Sequence, residues 1–495
     1  MKTTIKHFAK VLFTFVFSAG FVLTSCETVD PVNNGKDPVN NGKDPETTGN
    51  IVFADNIVKQ ACVAAFDTDG DGEVSYVEAA AVTDMSTLRL RSEFTTFDEF
   101  QYFINVTSVP DGFFSKNNYL KSIVFPKSIN SIGQKAFYSC TGLTAIEFSE
   151  GLESIGDYAF YECTGLTAIE FSEGLKSIGN YAFHECTGLT AIEFPEGLKS
   201  IGNGAFEYCT CLTEIEFPEG LESIGDSAFS ACEGLTEIEF LKGLKSIGNY
   251  AFSFCCGLTE VKFPGGLESI GNGAFEYCTC LTEIEFLKGL KSIGKYAFSQ
   301  CPGLTKVKFT ELKSIGEYAF SNLEGLTEVK LPKGLESIGG HAFHACYSLT
   351  TIEFLKGLKS IGDSAFSYCV GLTAIEFPEG LESIGDSAFS ACQGLTDVKF
   401  SKGLESIGES AFSYCFGLTA IEFPEGLESI GVWAFAYCVG LTKIYCRPLT
   451  PPTLGESALS TTSDSQIYVP RCSEEQYKTA ESWRKYASKV VGYDF

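Results

Sequence analysis

A repeat of 23 residues constrains the fold of this chain more than any other feature of its sequence. From Leu152 the chain reads LESIGDYAFYECTGLTAIEFSEG, and the same pattern starts again at Leu175. Fourteen such units start between Ile129 and Leu427, with one step of 22 residues, and a degenerate fifteenth unit starts at Val106. A single unit is too short to bury its own apolar residues, whereas stacked units bury them in one continuous core. The sequence therefore predicts a stack of coils.

The consensus LxSIGxxAFxxCxGLTxIxF predicts the elements of each coil. Its LTxIxF part alternates with period two, so that Ile169 and Phe171 point inward and Glu170 points outward, as in a strand. The LxSIG part predicts a second short extended piece, and AFxxC predicts a single helical or 3₁₀ turn. The expected fold is an α/β repeat solenoid with a parallel sheet on one face and short helical turns on the other.

The N-terminus predicts export. Three lysines precede the apolar run Val11–Leu23, which is too short to span a bilayer, and the run ends in Leu-Thr-Ser-Cys26. This ending resembles a bacterial lipobox, so residues 1–26 are interpreted as a lipoprotein signal peptide with lipidation at Cys26. Such a lipid tethers a chain to a membrane without a transmembrane helix. An ordinary cleaved secretory signal with an incidental cysteine is the alternative.

A tether follows the signal peptide. The heptapeptide DPVNNGK at Asp30 is copied at Asp37, and the segment contains Pro, Gly, Asn and charge without aromatic residues. Such a composition cannot form a packed core. Residues 27–50 are therefore predicted to be a flexible spacer.

The segment DTDGDGEVSYVE matches the 12-residue loop of an EF-hand at each diagnostic position. Hard oxygen ligands from such a loop suit calcium, and Gly72 permits the sharp turn. The predicted ligands are Asp67, Asp69, Asp71, Glu73, Ser75 and Glu78. With short helices at Asn56 to Phe66 and Tyr76 to Val82, the loop predicts an N-terminal cap over residues 51–105 that holds one structural Ca²⁺. A solvated acidic turn without metal is the alternative.

The chain departs from the repeat after residue 446. Thr453–Leu459 is a decayed SIGxxAF, and Ile467–Pro470 is predicted to be a last strand. Ser473, with Gln476 three residues later, predicts a capping box and a helix to about Ser488. Aromatic residues of this helix would cover the open end of the stack, so residues 447–495 are predicted to form a C-terminal cap.

The dense repeat over residues 106–446 resembles the BspA-like leucine-rich repeats of bacterial surface proteins. The DxDGDGxxSxxEAA segment in front and the IYVP strand behind are similar to the same family, and the whole arrangement resembles proteins of Bacteroides-type bacteria. The resemblance implies a right-handed leucine-rich solenoid, exported and lipid-anchored at the outer membrane or cell surface. Some members of the family are adhesins.

The acidic composition restricts the possible partners. With 36 Lys and Arg against 63 Asp and Glu, the formal net charge is −27. This charge disfavours nucleic acid and anionic membrane surfaces, which are held mainly through phosphate groups. Membrane attachment is expected through the N-terminal lipid alone.

Most of the 20 cysteines recur at one position of the repeat. This column comprises Cys140, Cys163, Cys186, Cys209, Cys232, Cys255, Cys278, Cys301, Cys346, Cys369, Cys392, Cys415 and Cys438. Leu323 takes the same place in the short unit, which indicates a buried, apolar column of reduced thiols. Disulfides between neighbouring coils are the alternative, but in-register side chains rarely meet the required dihedral angle. Pairing of Cys446 with Cys472 is left open.

Acidic residues on the outward side of the strands form the candidate binding face. They include Glu147, Glu170, Glu193, Glu216, Glu239, Glu214, Glu237, Glu260 and Glu283. Such a strip would attract a basic protein segment, although charge that keeps an exposed sheet soluble is the simpler interpretation. A second candidate is a set of aromatic residues on the turn side, which either stack on sugars or pack on the next coil: Tyr158, Tyr181, Tyr250, Tyr296, Tyr318 and Trp433.

No constellation of residues predicts catalysis. Of four histidines, His7 lies in the signal peptide and His184 stands alone, and the recurrent serine is expected to be a turn hydroxyl. The predicted function is therefore a non-catalytic binding or adhesion surface of a monomeric protein for a protein or glycan, with host extracellular matrix among the candidates. The alternative is a surface spacer or variable antigen, which fits the near-copies at residues 201–217 and 270–286.

Overall fold

The computed structural model describes residues 49–90, 93–460 and 465–495. The predicted signal peptide with Cys26 and almost all of the predicted tether lie outside these residues. Residues 48–495 form one compact unit. Within the described ranges, no helix has the length and apolar character needed to cross a membrane.

The continuous sheet of the solenoid is built from the Ser-Ile dipeptides of the repeat. Sixteen parallel two-residue strands pair in register, with the isoleucine buried and the serine facing outward. We call this the serine sheet. Its strands are Ser108–Val109, Ser131–Ile132, Ser154–Ile155, Ser177–Ile178, Ser200–Ile201, Ser223–Ile224, Ser246–Ile247, Ser269–Ile270, Ser292–Ile293, Ser314–Ile315, Ser337–Ile338, Ser360–Ile361, Ser383–Ile384, Ser406–Ile407, Ser429–Ile430 and Thr453–Leu454.

The LTxIxF segments form a second set of parallel strands, which we call the glutamate strands. They are Ala145–Glu147, Ala168–Glu170, Ala191–Glu193, Glu214–Glu216, Glu237–Glu239, Glu260–Lys262, Glu283–Phe286, Lys306–Phe309, Glu328–Lys330, Thr351–Ile352, Ala374–Glu376, Asp397–Lys399, Ala420–Phe423 and Lys443–Cys446. Their hydrogen bonding is interrupted, giving sheets of two, two, eight and four strands, the last completed by the cap. The predicted parallel strands are confirmed. The uninterrupted sheet, however, is the separate serine sheet, whose strands are shorter.

The segment that contains Ala-Phe is a hydrogen-bonded turn without a helix, so the predicted helical turn is wrong. In a typical coil the N–H groups of Tyr158, Phe160 and Glu162 donate to carbonyls of the next coil at 2.7 to 2.9 Å. The intervening residues donate within their own turn. Tyr158 and Glu162 adopt the left-handed conformation, both at φ 57°, and every regular coil has two such residues. Because half of the donors bond to the next coil, the turns form a third ladder along the stack, and the alternating left-handed residues prevent a continuous helix.

Two phenylalanine columns fill the core. Phe252 stacks on Phe229 and Phe275 with ring centroids 5.2 and 5.3 Å apart, and Phe240 of the strand column meets Phe252 edge-on at 5.6 Å. The same contacts recur from coil to coil. Stacked and edge-to-face rings are the favoured aromatic geometries, so each coil offers the next a matching surface.

The N-terminal cap consists of helices α1, Asn56–Phe66, and α2, Tyr76–Ala81, a strand at Thr96–Phe97 and a 3₁₀ helix at Asp98–Tyr102. The strand Thr96–Phe97 pairs with Ser122–Ile123, so the stack begins one partial coil before Val106. The rings of Phe97, Phe100 and Phe103 pack together over the first full coil and bury its end.

The C-terminal cap differs from its prediction. The strand Gln466–Pro470 is followed by a 3₁₀ helix at Arg471–Ser473, helix α3 at Glu474–Thr479, a 3₁₀ helix at Arg484–Lys489 and a further parallel strand at Val490–Tyr493. The single helix to Ser488 and the assignment of Ile467–Pro470 as the last strand are therefore wrong. Ser473 makes no side-chain capping bond.

The break at Ala480 lets the aromatic residues of the cap reach the open end of the stack. The indole nitrogen of Trp483 donates to the carbonyl of Pro452 at 2.7 Å, and the hydroxyl of Tyr477 donates to the carbonyl of Pro448 at 2.8 Å. Both side chains are fully buried. The cap thus covers the core as predicted, by a different path of the backbone.

Candidate binding face and calcium loop

The glutamate strands present acidic side chains in register on the outside of the solenoid. Glu147 pairs directly with Glu170, and Glu193 pairs with Glu216, while the isoleucine between the outward residues of each strand is buried. All nine predicted glutamates of the face are exposed. Like charges directly opposite each other on adjacent strands destabilise a sheet, so this arrangement has an energetic cost.

Lysines neutralise only one part of this face. Lys262 lies 3.4 Å from Glu260, and Lys306 lies 3.3 Å from Glu283. Within the described part of the chain, the other seven predicted glutamates form no ion pair: Glu147, Glu170, Glu193, Glu214, Glu216, Glu237 and Glu239. We call these seven the unpaired strip. The structure therefore divides the predicted face into an unpaired N-terminal part and a paired part.

The predicted aromatic set on the turn side mostly packs on itself. Tyr158 stacks on Tyr181 at 5.2 Å, and Tyr296 stacks on Tyr318 at 4.6 Å. The ring of Tyr250 covers the next coil, because a Cβ added to Gly273 would lie 2.4 Å from it. Packing on the next coil is thus confirmed for these residues, which leaves Trp433 as the exception.

Sequence reasoning missed a second aromatic column on the turn side. It includes Tyr208, Phe254, Tyr277, Tyr368, Tyr414 and Tyr437. These residues immediately precede the column cysteine and are left-handed and exposed. Their recurrence before the cysteine is visible in the sequence, but alternation of inward and outward residues within a turn matches neither the helical nor the strand period.

The cysteine column is buried and reduced, as predicted. All 19 described cysteines are free, and each of the 13 column thiols donates to the carbonyl of the phenylalanine 26 residues earlier, with the sulfur 3.0 to 3.3 Å from the oxygen. Burial raises the pKa of Cys301 and Cys392 to about 12. Cys446 is buried and Cys472 is exposed, so this pair is not bridged.

We expect the thiols to divide sharply in reactivity. A maleimide or iodoacetamide reagent at pH 8 should modify the exposed Cys211, Cys280 and Cys472 in the folded protein, because the thiolate is the reactive species. The 13 column cysteines should react only after denaturation, since burial excludes the reagent and also raises the pKa of thiols such as Cys255 and Cys301. Peptide mapping by mass spectrometry checks this. Rapid labelling of Cys255 in the native protein would contradict the buried column.

The calcium-type loop brings together three of its six predicted ligands. Oxygens of Asp67, Asp69 and Asp71 lie within 4.8 Å of one another. Gly70 and Gly72 adopt φ of 76° and 86° and donate their N–H groups to the Asp67 carboxylate at 2.7 and 2.9 Å. Three carboxylates on a tight loop are the hard oxygen donors that calcium prefers, so this part of the loop fits the ion.

The side chains of the other three predicted ligands have other partners, although Glu73 is predicted to ligate through its backbone carbonyl. Glu73 pairs with Lys59 at 2.6 Å, and Ser75 forms a capping box with Glu78 at the start of α2. Hydrogen bonds from the backbone of Ser75 and from Thr68 lower the pKa of Glu78 to about 2. Glu78 is thus a charged cap of the helix in this structure.

A short N-terminal segment provides the loop with a β-partner. Ile51 donates its N–H to the carbonyl of Val74 at 2.8 Å, and Tyr76 donates to the carbonyl of Gly49 at 3.1 Å. Asn50 and Ser75 form an antiparallel bridge. EF-hand loops usually pair with a second loop, and this segment takes that place. Gly49 and Asn50, assigned to the tether from sequence, belong to this pairing.

The described histidines lie in packed surroundings. His184 stacks on Tyr161 at 4.6 Å, and His341 stacks on Tyr318 at 4.3 Å. His344 contacts the hydroxyl of Ser367 at 2.6 Å, but this serine is buried and donates to a backbone carbonyl. The serine–histidine contact therefore has no access to a substrate.

Comparisons with known proteins agree with the coil geometry. A leucine-rich repeat protein from Bacteroides ovatus is 27% identical, with a TM-score of 0.61 over 74% of this chain and 87% of that chain. A leucine rich cell surface protein from Faecalibacterium prausnitzii is also 27% identical, with a TM-score of 0.38 over 63% of this chain and 82% of that chain. No curated protein sequence matches the chain.

The family comparison covers the solenoid and most of the C-terminal cap. The profile described as BspA type leucine rich repeat region matches residues 107–219, 199–324, 313–442 and 359–477. Together these matches extend over most of the chain. The protein therefore belongs to the BspA-type leucine-rich repeat family.

Proposed function

We propose that this protein is a non-catalytic cell-surface protein that binds a protein ligand through the glutamate strands of its solenoid. Membership of the BspA-type family supports a surface location and a binding or structural role. The unpaired strip is the observation that carries the proposal. It holds seven exposed carboxylates that form no ion pair among the described residues, and like charges lie directly opposite each other at Glu147–Glu170 and Glu193–Glu216.

A basic segment of a partner would relieve this repulsion. Complementary charge increases the rate of encounter and selects between partners more than it increases affinity. The expected ligand is therefore a protein with an exposed run of lysine and arginine, and extracellular matrix proteins of a host are candidates to be screened. Binding should weaken as salt increases, because screening acts on exposed charges.

Neutralising the strip tests this function. We expect the full chain to capture a matrix protein from a defined panel, and the triple variant Glu193→Gln, Glu216→Gln, Glu239→Gln to bind at least about tenfold more weakly. The control is Glu382→Gln, Glu405→Gln, Glu428→Gln, which removes the same charge from exposed positions beside the serine sheet. Surface plasmon resonance at two salt concentrations measures both. Equal binding by the two variants, or no ligand above background, would refute the proposal.

A second candidate function is a surface spacer or variable antigen. The identical sequences at residues 201–217 and 270–286 favour it, because they are consistent with recent duplication of whole coils. A spacer tolerates neutralisation of its surface, so the same triple variant distinguishes the two functions.

We propose that the chain is exported and anchored through a lipid on Cys26. The lipobox-like sequence supports this proposal. Metabolic labelling with an azide-bearing fatty acid should label the protein, and Cys26→Ser should abolish the label and release the protein from the membrane fraction. Protease treatment of intact cells then reports the leaflet. An unlabelled wild-type protein would exclude the lipid anchor.

We propose that the loop of residues 67–78 binds one structural Ca²⁺. The three gathered aspartates support the proposal, and Ser75 and Glu78 would complete the ligand set. At calcium about 100-fold above Kd, binding should stabilise the folded cap by about 2.7 kcal/mol. Thermal melting with calcium, with EDTA and with magnesium measures this effect, and Asp71→Asn is the matched loop variant. An unchanged melting curve after EDTA would rule out the site.

A further inference from the structure

The turn side of the last two regular coils carries exposed apolar residues that the first coils lack. The residue after the column cysteine is threonine in the first four coils, whereas it is Phe416 and Val439 in the last two, and both are exposed. Beside them Tyr414 and Tyr437 are exposed and stack on each other at 4.6 Å. The backbone does not require these side chains, because other coils fold with threonine or alanine at the same positions. Exposed patches of this kind mark interaction sites.

Trp433 is the most distinctive residue of this patch. It is one of two tryptophans in the chain, and it is 49% exposed while Trp483 is fully buried. It is held in the left-handed conformation at φ 54°, which is unfavourable for a large side chain. An exposed indole in this backbone conformation is therefore unfavourable for folding.

The neighbours of Trp433 in the same column are small. The corresponding residues of the adjacent coils are Ser410 and Ser457, whose backbones have φ of 55°. Among the described residues Trp433 has no aromatic or cationic ring contact, unlike Tyr158, Tyr181, Tyr296 and Tyr318 of the same column, which stack in pairs. In the stack the indole therefore lies between two small hydroxyl side chains.

The chemistry around this indole points to a neutral polysaccharide. The C–H face of a pyranose ring packs on an indole, and the exposed carboxylates of Glu409 and Glu456, one residue before the flanking serines, can accept hydrogen bonds from sugar hydroxyls. The same carboxylates disfavour an anionic glycan. They also disfavour a second copy of this acidic chain, because docking would bring like charges together.

We propose that Trp433, with Tyr414 and Tyr437 beside it, forms a stacking subsite for a neutral polysaccharide on the turn side of the last coils. This site rests on the proposed surface location but is separate from the unpaired strip. It adds a carbohydrate ligand to the proposed protein ligand.

Affinity electrophoresis of the full chain tests the subsite. The gels contain mannan, xylan, dextran or laminarin as neutral polysaccharides, and hyaluronan as an anionic control. We expect at least one neutral polysaccharide to retard the wild type, and Trp433→Ser to weaken this binding at least about tenfold. Serine occupies the same position in the adjacent coils, so the variant should fold.

Tyr250→Ser is the matched control. Tyr250 has the same φ of 54° and is 44% exposed, but its ring packs on the next coil. This variant should bind the polysaccharide like the wild type. Fluorescence adds a direct reading, because bound polysaccharide should protect Trp433 from quenching by acrylamide while the buried Trp483 is unaffected.

Three outcomes would overturn the subsite. They are the absence of retardation by every neutral polysaccharide, equal retardation of the wild type and Trp433→Ser, and concentration-dependent self-association that Trp433→Ser removes. The last would assign the patch to a second copy of the chain. If the subsite fails in one of these ways but a matrix protein still binds, the proposed function of the unpaired strip stands. If a polysaccharide binds but no protein ligand is found, the subsite stands and the function of the strip fails.

Discussion

Replacing Gly271 with alanine should destabilise the middle of the solenoid by about 3 kcal/mol or more, the upper range for overpacking of a core. A Cβ at this position would lie 2.5 Å from the carbonyl carbon of Gly248 and 2.6 Å from the backbone nitrogen of Asn249 in the preceding coil. Both atoms belong to the backbone of a neighbouring coil, so no side-chain rotation relieves the contact. Unfolding in urea, followed by circular dichroism, measures the change in free energy.

The control for this substitution is Gly265→Ala. Gly265 lies in a closing turn of the same region, and a Cβ there would meet nothing within 4 Å. This variant should differ from the wild type by less than about 0.5 kcal/mol, as is usual for open surface positions. If Gly271→Ala unfolds at the same urea concentration as Gly265→Ala, the coils are not packed as closely as the structure shows.

Phe252→Ala should cost about 3 to 5 kcal/mol, the usual cost of truncating a fully buried aromatic ring. Phe252 is fully buried and stacks on the rings of both neighbouring coils, so its loss leaves a cavity between three coils. Residues of a stack interact only with adjacent units, and the array therefore need not unfold as one. Hydrogen exchange measured by mass spectrometry should locate the loss of protection in the coils around Phe252.

Phe254→Ala is the matched control for this truncation. Phe254 lies two residues later and is 47% exposed, with its ring stacked only on Tyr277. Its removal should cost less than about 1.5 kcal/mol, the range for a single aromatic pair. Similar losses of protection in the two variants would contradict the assignment of alternate turn residues to the inside and the outside.

The repeat made the core columns predictable from sequence, because a residue that recurs every 23 positions must meet its equivalent in the next coil. Ile169, Phe171 and the cysteine column lie inside as expected. The turn was not predictable in the same way. Its alternation of left-handed residues, such as Tyr158 and Glu162, arises from bonds to the next coil, and no local pattern encodes such bonds.

The C-terminal cap shows a second limit of sequence reasoning. A helix starts after Ser473 as predicted, but the capping box is absent, and Trp483 must reach Pro452 to cover the core, which breaks the helix at Ala480. The strand Val490–Tyr493 is short and contains a glycine, so its propensity gave no indication of the pairing with Gln466–Pro470. In both cases tertiary contacts override local preference.

The candidate sites were predictable as residue types and not as arrangements. The acidic column was visible in the sequence. Its division into an unpaired and a paired part depends on which glutamates have a lysine within reach, as Glu260 and Glu283 do. The aromatic set was visible too, but the sequence did not show that Tyr181 stacks on Tyr158 and that the ring of Tyr250 covers the next coil, whereas Trp433 has no ring contact among the described residues. For the calcium loop, spacing identified the aspartates but not the partner segment at Ile51.

The three ladders that join each coil to the next also determine how such a gene can change in length. The interfaces share the same serine strands and turns, and all column positions but Leu323 add a thiol–carbonyl bond, so one whole coil can be lost or gained by recombination and the new neighbours meet a matching surface. A deletion of part of a coil would shift all three ladders out of register. The single 22-residue step shows the exception, since the missing residue falls in the closing turn near Glu311, outside the ladders. This architecture therefore tolerates changes of length by whole coils.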